Sequence, residues 1–347
     1  MSPDCSPSVS LPPELERLIF ETAALRYPGR IPTLLLLAKR VHEWIEPLLY
    51  QVIPIIIYDD RSKAYRRMSG SRMLERLQAG DRPLQFFSSA VRDVEIINLE
   101  LFRGSSEKVW ADDDLKRVLS ACGPNIRSLL IIGDLESKPI LSSLADCRPT
   151  RAFVISGLEE PMPDFKRLFF RNVTHLVIGE LNRVLRLPSD PPPNEGYELE
   201  RESQWSKILK LPALTHLAVI HPLLPSAGQR ILAGAPHIRA FVIVLLEDNE
   251  PSPARIRARQ EIQAFPWDDD RVVALPAASD LTRGREGFST KAWTPQVDEL
   301  WAQVDEFIED KRRGKIPASE YRLLLDSSFS RSLFIFFHRW YTSTHED

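Results

Sequence analysis

Two histidines in this chain have the residue type and the placement that a metal site would use. His175 and His216 each stand in a Thr-His-Leu tripeptide, at 174–176 and 215–217, so they could lie near one another on adjacent strands. A zinc site takes at least three protein ligands held by an oriented second shell. The sequence shows neither a third ligand nor such a shell, and we therefore predict two surface histidines on strands and no metal site.

The acidic runs and the cysteines have simpler interpretations. Asp112–Asp114 is predicted to place negative charge at a helix N-terminus, which the helix dipole favours. Asp268–Asp270 is predicted to mark a turn. The three cysteines are odd in number and widely spaced, which argues against a disulfide framework and against a zinc site built on paired cysteines. We expect a reducing compartment.

Catalytic motifs are missing from the sequence. It contains no phosphate-cradling glycine pattern, no His-Glu-x-x-His and no nucleophile elbow. We therefore expect a non-enzymatic protein without catalytic residues or a cofactor. An α/β enzyme is the alternative, and it would need a deep pocket with convergent polar groups at the strand ends.

Composition places the chain among ordinary globular proteins. Of its 347 residues, 43% are hydrophobic and 27% charged, and the formal net charge is -3. That charge gives no basic field for nucleic acid. The apolar stretches are too short to span a bilayer, and the N-terminal residues do not form a signal peptide. We expect a cytoplasmic or nuclear protein with no nucleic-acid or membrane partner.

The N-terminal segment is predicted to form a small helical module. The prolines of Leu11–Leu15 suit a first helical turn, and Leu11, Leu15, Leu18, Ile19 and Thr22 then share one face. Tyr27–Gly29 ends this helix. The next helix is apolar all round from Leu34 to Ala38, which predicts burial on more than one side.

This order of residues resembles the F-box, over about forty residues of the chain. It is most similar to the F-box-like proteins that are abundant in mushroom-forming fungi, although the connection Leu25–Arg30 is longer and more basic than the usual one. The matching residues are Leu11, Pro12, Glu14, Leu15, Ile19, Phe20, Leu34, Leu37, Lys39, Arg40, Val41, Trp44, Pro47, Leu49 and Tyr50.

The resemblance implies a partner. F-boxes dock on the Skp-type adaptor of a cullin–RING ubiquitin ligase, and an unknown client protein would bind elsewhere on the chain. By this resemblance the adaptor contacts would be Leu11, Pro12, Leu15, Ile19 and Phe20. The alternative is that these residues cap the core of the following domain, in a repeat-type binding protein with no ubiquitin role.

A second pattern recurs beyond residue 88. Apolar residues occupy the first, fourth and sixth positions of short windows that begin at 91, 126, 150, 173, 214 and 238, with Thr150 as one polar substitution. Arg271–Leu275 is predicted as a further strand. Three of the five separations are 23 or 24 residues, inside the leucine-rich-repeat period. Short helical segments such as Asp113–Cys122 and Ser226–Gly234 are predicted between the windows. The pattern resembles degenerate leucine-rich repeats.

The predicted fold is therefore α/β. An N-terminal three-helix F-box-like module (1–58) precedes an irregular leucine-rich-repeat-like solenoid with a parallel sheet (59–290). C-terminal helices (291–347) pack on this array.

The second face of the predicted sheet is unusually apolar. In an open horseshoe the fifth window position would face solvent, yet it is apolar in most windows. The candidates for this face are Leu130, Val154, Val177, Ala218 and Val242. Strands that are apolar on both faces usually have both faces covered. Either the C-terminal region or a partner packs there, or the sheet is doubly wound with helices on both sides.

The C-terminal region supplies a candidate cover. A helix opening at Thr294–Pro295 carries an apolar stripe, and the segment Ser332–Tyr341 is rich in aliphatic and aromatic residues. The stripe consists of Val297, Leu300, Trp301, Val304, Phe307 and Ile308.

Overall fold

A computed structural model shows an α/β protein built on a sheet of eight strands, all parallel. The structure describes residues 11–56, 58–59, 69–98, 107–108, 112–133, 138–156, 165, 167–180, 207–220, 225–246, 260, 267, 269–277, 293–317 and 319–323.

Strand order in the main sheet follows chain order without a reversal, β1-β3-β5-β6-β7-β8-β9-β10. The two short strands β2 and β4 form a separate antiparallel pair. The strands are β1 Val52–Ile56, β2 Tyr58–Asp59, β3 Asp93–Asn98, β4 Glu107–Lys108, β5 Ser128–Gly133, β6 Arg151–Ser156, β7 His175–Glu180, β8 His216–Ile220, β9 Ala240–Leu246 and β10 Val272–Ala277.

Nine α-helices lie within the described residues. The first three precede the sheet, the next five lie between strands, and the last follows β10. The helices are α1 Pro13–Arg26, α2 Ile31–Leu34, α3 Lys39–Ile45, α4 Ser69–Ala79, α5 Leu84–Ala90, α6 Asp112–Cys122, α7 Lys138–Ser143, α8 Pro225–Gly234 and α9 Trp293–Arg312.

One face of the sheet packs against the helices that connect its strands. In α6 the buried residues fall at helical spacing, Leu115, Val118, Leu119 and Cys122, and they share one core with this face. A single row of cross-strand neighbours runs through that core from β1 to β10. The row is Ile53, Val94, Leu129, Ala152, Leu176, Leu217, Phe241 and Val272.

The opposite face of the sheet packs against α9, whose apolar stripe is buried from Leu300 to Ile308. The row of strand residues beneath this cover is Leu130, Phe153, Val177, Ala218, Val242 and Val273. The chain therefore covers its own second sheet face with its C-terminal helix. Val297 of the predicted stripe and the segment Ser332–Tyr341 lie outside the described side chains.

The prediction of Val154 for this second face is wrong by one residue. Val154 lies in the core shared with the connecting helices, and Phe153 and Ile155 take the places under α9. The register confirms the shift, because Phe153 pairs with Leu130 and with Val177. Successive strand residues point to opposite faces, so a window set one residue late exchanges the two faces.

The predicted windows overlap β3 and β5 to β9, each beginning one or two residues before its strand, and the predicted last strand overlaps β10. The first strand was missed. Val52–Ile56 falls inside the segment 1–58 that was assigned to the helical module, yet it pairs with β3 as an edge strand of the sheet. Its Pro54 is compatible with an edge position, where a missing N–H is tolerated. The helical module therefore ends before Val52.

The doubly wound alternative does not fit this topology. A doubly wound sheet reverses its strand order at a switch point, and this sheet has no reversal. The connecting helices α5 to α8 also contribute to one core only, while the second core receives α9.

A buried carboxylate joins the N-terminal helices to the sheet domain. Glu46, almost fully buried after α3, accepts hydrogen bonds from Arg76 of α4 (2.7 Å) and from Arg82 (2.6 Å). Arg76 also donates to the Tyr50 hydroxyl at 2.8 Å. Burial alone would raise the pKa of Glu46, but the hydrogen bonds from the two arginines outweigh it and hold the pKa below its ordinary value.

Removing this charge should weaken the contact between Glu46 and the two arginines, which we call the junction. We expect Glu46→Gln to lower the free energy of unfolding by about 1–2 kcal/mol, allowing for solvent screening of the partly exposed guanidinium groups. Because the pKa of Glu46 is lowered by folding, its stabilisation is present above the unfolded-state value of about 4.3 and is lost as the pH falls below it. Urea unfolding at pH 7 and pH 3.5 measures both effects.

The control is Glu43→Gln, which removes an exposed carboxylate three residues earlier, in α3. Equal unfolding free energies for the Glu46 and Glu43 variants at pH 7 would contradict the proposed role of the junction.

Candidate protein-docking surface

The N-terminal helices form a compact module with a core of its own. Pro13 stands in the first turn of α1, and Glu14 and Glu16 add negative charge at its N-terminus. The buried residues of the module are Ala24, Ile31, Val41 and Ile45, and side chains such as Phe20 and Trp44 pack around them. The module therefore forms its own core from only some of its apolar residues.

The remaining apolar residues of this module face solvent. Nine large hydrophobic side chains are exposed in the described parts of the chain, and all except Leu168 lie between residues 11 and 37. Monomeric proteins rarely concentrate exposed apolar groups in this way unless the surface contacts a partner. We call these eight residues the apolar face of the module: Leu11, Leu15, Leu18, Ile19, Leu25, Tyr27, Leu36 and Leu37.

The predicted adaptor contacts divide into two groups. Leu11, Pro12, Leu15 and Ile19 are exposed on or just before α1, with Leu15 at 49% and Ile19 at 53% of full exposure. Phe20 is only partly exposed and packs against the core of the module. Four of the five predicted residues are thus accessible to a partner, while Phe20 mainly supports the helix that presents them.

The prediction that Leu34–Ala38 is buried on more than one side is wrong. The α-helix ends at Leu34, and the following turn leaves Leu36 86% and Leu37 58% exposed. Leu34 and Leu35 pack against the module core instead. The sequence run was interpreted as a continuous helix, but a turn points its consecutive side chains in different directions.

Charged side chains alternate with residues of the apolar face along α1. Arg40 of α3 donates to Glu16 of α1 at 2.8 Å, and Arg17 pairs with Glu21 at 2.7 Å within α1. Both pairs are largely solvent-exposed, so their contribution to stability is small.

The two predicted histidines do meet, at the amino ends of β7 and β8. Their imidazole rings stack with centroids 4.1 Å apart, and His216 is buried, contrary to the expectation of surface histidines. No group of three His, Cys, Asp or Glu side chains within the described ranges could hold a metal ion.

The acidic runs serve structural roles. Asp112–Asp114 forms the first turn of α6, as predicted. Asp269 binds the guanidinium of Arg271, which also donates to the carbonyls of Leu232, Ala235 and Ile238 at the end of α8. Burial raises the pKa of both the Cys122 and the Cys147 thiols to about 12, so neither is a reactive thiolate.

Comparison with protein-family models and with curated proteins found no match to this chain. Among the described helices none has the length and apolar character needed to cross a bilayer.

Substitutions on the apolar face should leave folding nearly intact. We expect Leu15→Asp and Ile19→Asp each to change the free energy of unfolding by less than about 1 kcal/mol, mostly through the helix propensity of Asp. Ile45→Ala removes a fully buried side chain and should cost about 2–5 kcal/mol. Urea unfolding followed by tryptophan fluorescence measures all three. If Leu15→Asp lowered the free energy of unfolding as much as Ile45→Ala, the apolar face would be needed for folding.

Proposed function

We propose that this protein is a non-enzymatic recognition adaptor of the F-box type. In this proposal the N-terminal module binds the Skp-type adaptor of a cullin–RING ubiquitin ligase, and the sheet domain presents an unidentified client protein. The observation that carries the proposal is the apolar face, which the module leaves exposed although it has a core of its own.

The residue order of the module supports an F-box assignment. Leu11 and Pro12 precede α1 and Leu15 lies in its first turn, in the family's order, and Leu37, Lys39 and Arg40 follow in the second half. Leu11, Pro12, Leu15 and Leu37 from this pattern are also exposed, as residues that contact an adaptor must be.

The sheet domain supports a leucine-rich-repeat-like array. Its eight parallel strands follow chain order, and the connecting helices share one core. A strand-and-helix unit of this kind cannot bury its own apolar face, whereas stacked neighbours can. We infer an irregular solenoid that acts as the client-binding part of the adaptor.

A repeat-type binding protein with a purely structural helical module is the second candidate. Burial of Leu15, Ile19 and Phe20 against the repeats would support it. Leu15 and Ile19 are instead half exposed, and Phe20 packs within the module itself. These positions favour the docking proposal. The loops that follow most strands, where the α/β-enzyme alternative would place its site, lie outside the described residues.

Binding of the full-length chain to a purified Skp-type adaptor tests the proposal. We expect Leu15→Asp and Ile19→Asp each to weaken binding at least about tenfold, because each places a charge in an apolar contact. Leu168→Asp is the matched control, since Leu168 is equally exposed but lies far from the module in sequence. Isothermal titration calorimetry gives the affinities.

No binding by the wild-type chain would refute the ubiquitin-ligase role. Binding that survives both substitutions would refute the proposed contact surface.

A further inference from the structure

A row of polar side chains crosses the sheet beneath α9. Arg151, His175 and His216 begin β6, β7 and β8 and are direct cross-strand neighbours. Two residues further along each strand, Phe153, Val177 and Ala218 belong to the apolar contact with α9. Alternate residues share a face of a strand, so the polar row faces the same helix.

Helix α9 contacts this row with residues about one turn apart. Asp298 forms an ion pair with Arg151, and Asp305 lies 2.9 Å from His216 Nε2 through its Oδ1 atom. Between them the Trp301 ring meets both imidazoles edge-on, with centroids 5.2 Å from His175 and 5.3 Å from His216. The docked helix therefore closes over the histidine pair.

Hydrogen bonds on the sheet side indicate where the ring protons lie. The Thr174 hydroxyl donates to the carbonyl of Thr150 (2.9 Å), and the Thr215 hydroxyl donates to that of Thr174 (3.1 Å). Each hydroxyl has one proton, so while it makes this bond it can only accept from the Nδ1 atom of His175 or His216, which lie 2.8 and 2.7 Å away. On the other side of its ring, His216 Nε2 lies 2.9 Å from the Asp305 carboxylate of α9.

A positive charge on the His175 ring would be unfavourable in this stack. His175 lies with its ring only 10° from parallel to that of His216, next to Arg151. Burial, with smaller contributions from the neighbouring His216 and Arg151, lowers the pKa of His175 to about 4, and Asp305 opposes this shift. His175 is therefore neutral at neutral pH while α9 is docked.

We propose that the histidine pair makes the docking of α9 acid-sensitive, so that proton uptake by His175 releases the helix and uncovers the apolar sheet face. The charged groups around His175 in the described structure are Arg151 on β6, His216 on β8, and Asp298 and Asp305 on α9.

The direction of the pH effect follows from the linkage between protonation of His175 and docking of α9. The pKa of His175 is about 4 under the docked helix, against an ordinary value of 6.5 in water. Docking is therefore favoured by the neutral ring above pH 6.5 and loses this preference as the pH falls from 6.5 towards 4. Undocking of α9 exposes the His175 ring to water, and hydration stabilises its protonated form.

Amide hydrogen exchange of the full-length chain tests the proposal. Peptides covering Trp293–Arg312 are followed at pH 7.5, 6.5, 5.5 and 4.5, with correction for the intrinsic exchange rate. We expect protection of α9 in the wild type to fall about tenfold across this range, while α6 changes less than about twofold. Equal loss in both helices would mean global acid unfolding and would overturn the proposal.

Two variants separate His175 from other histidines. His175→Asn keeps a donor for the Thr174 hydroxyl but cannot titrate, so protection of α9 should fall less than about twofold. His237→Asn, at an exposed position after α8, should behave as the wild type. A fall in His175→Asn equal to that of the wild type would refute the mechanism.

A direct titration of the wild-type chain covers the case in which His175→Asn does not fold. The imidazole resonances of the seven histidines are followed by NMR, and the His175 signal is assigned by selective labelling. We expect this ring to remain neutral down to about pH 5. Protonation of His175 at or above pH 6.5 would overturn the proposal.

Discussion

Burial of both faces of the parallel sheet is the constraint on which the remaining structure depends. The cross-strand row through Leu129 and the alternate row through Leu130 are both apolar, so exposing either row to water is unfavourable. The connecting helices cover the first row, as they do in any array of strand-and-helix units. The second row requires a separate element, and the chain supplies α9. A C-terminal segment is thus part of the folded core.

Much of this arrangement could be predicted from the spacing of aliphatic residues. A buried parallel strand flanked by a helix gives the same three-then-two spacing in each unit, and it located β3 and β5 to β9. The same logic predicted an apolar second face and a C-terminal cover. The spacing failed at β6, because Ala152 is a weak apolar signal and Phe153 a strong one, so the window was aligned to the wrong face.

Other features left no local signal in the sequence. The edge strand β1 contains Pro54 and follows the helical module directly, so nothing marked its start. Exposure of Leu36 and Leu37 depends on a turn that begins after Leu34, and a run of leucines does not reveal it. The buried Glu46 joins residues about thirty positions apart, and such long-range polar contacts have no period to detect.

The module and the sheet domain therefore use apolar residues in opposite ways. The sheet domain buries both faces, whereas the module keeps a small core and leaves eight large side chains exposed in its part of the described structure. Glu46 holds the two parts together through charge-assisted hydrogen bonds, which fixes the apolar face relative to the array.

The free energy of unfolding of Val304→Asp tests the central claim most directly. Val304 of α9 is fully buried against the sheet. A charge there should lower the free energy of unfolding by about 3 kcal/mol or more, because it has no partner in the apolar contact. Ala302→Asp, at an exposed position of the same helix, should cost less than about 1 kcal/mol. Equal unfolding free energies for the two variants would show that α9 does not cover the sheet.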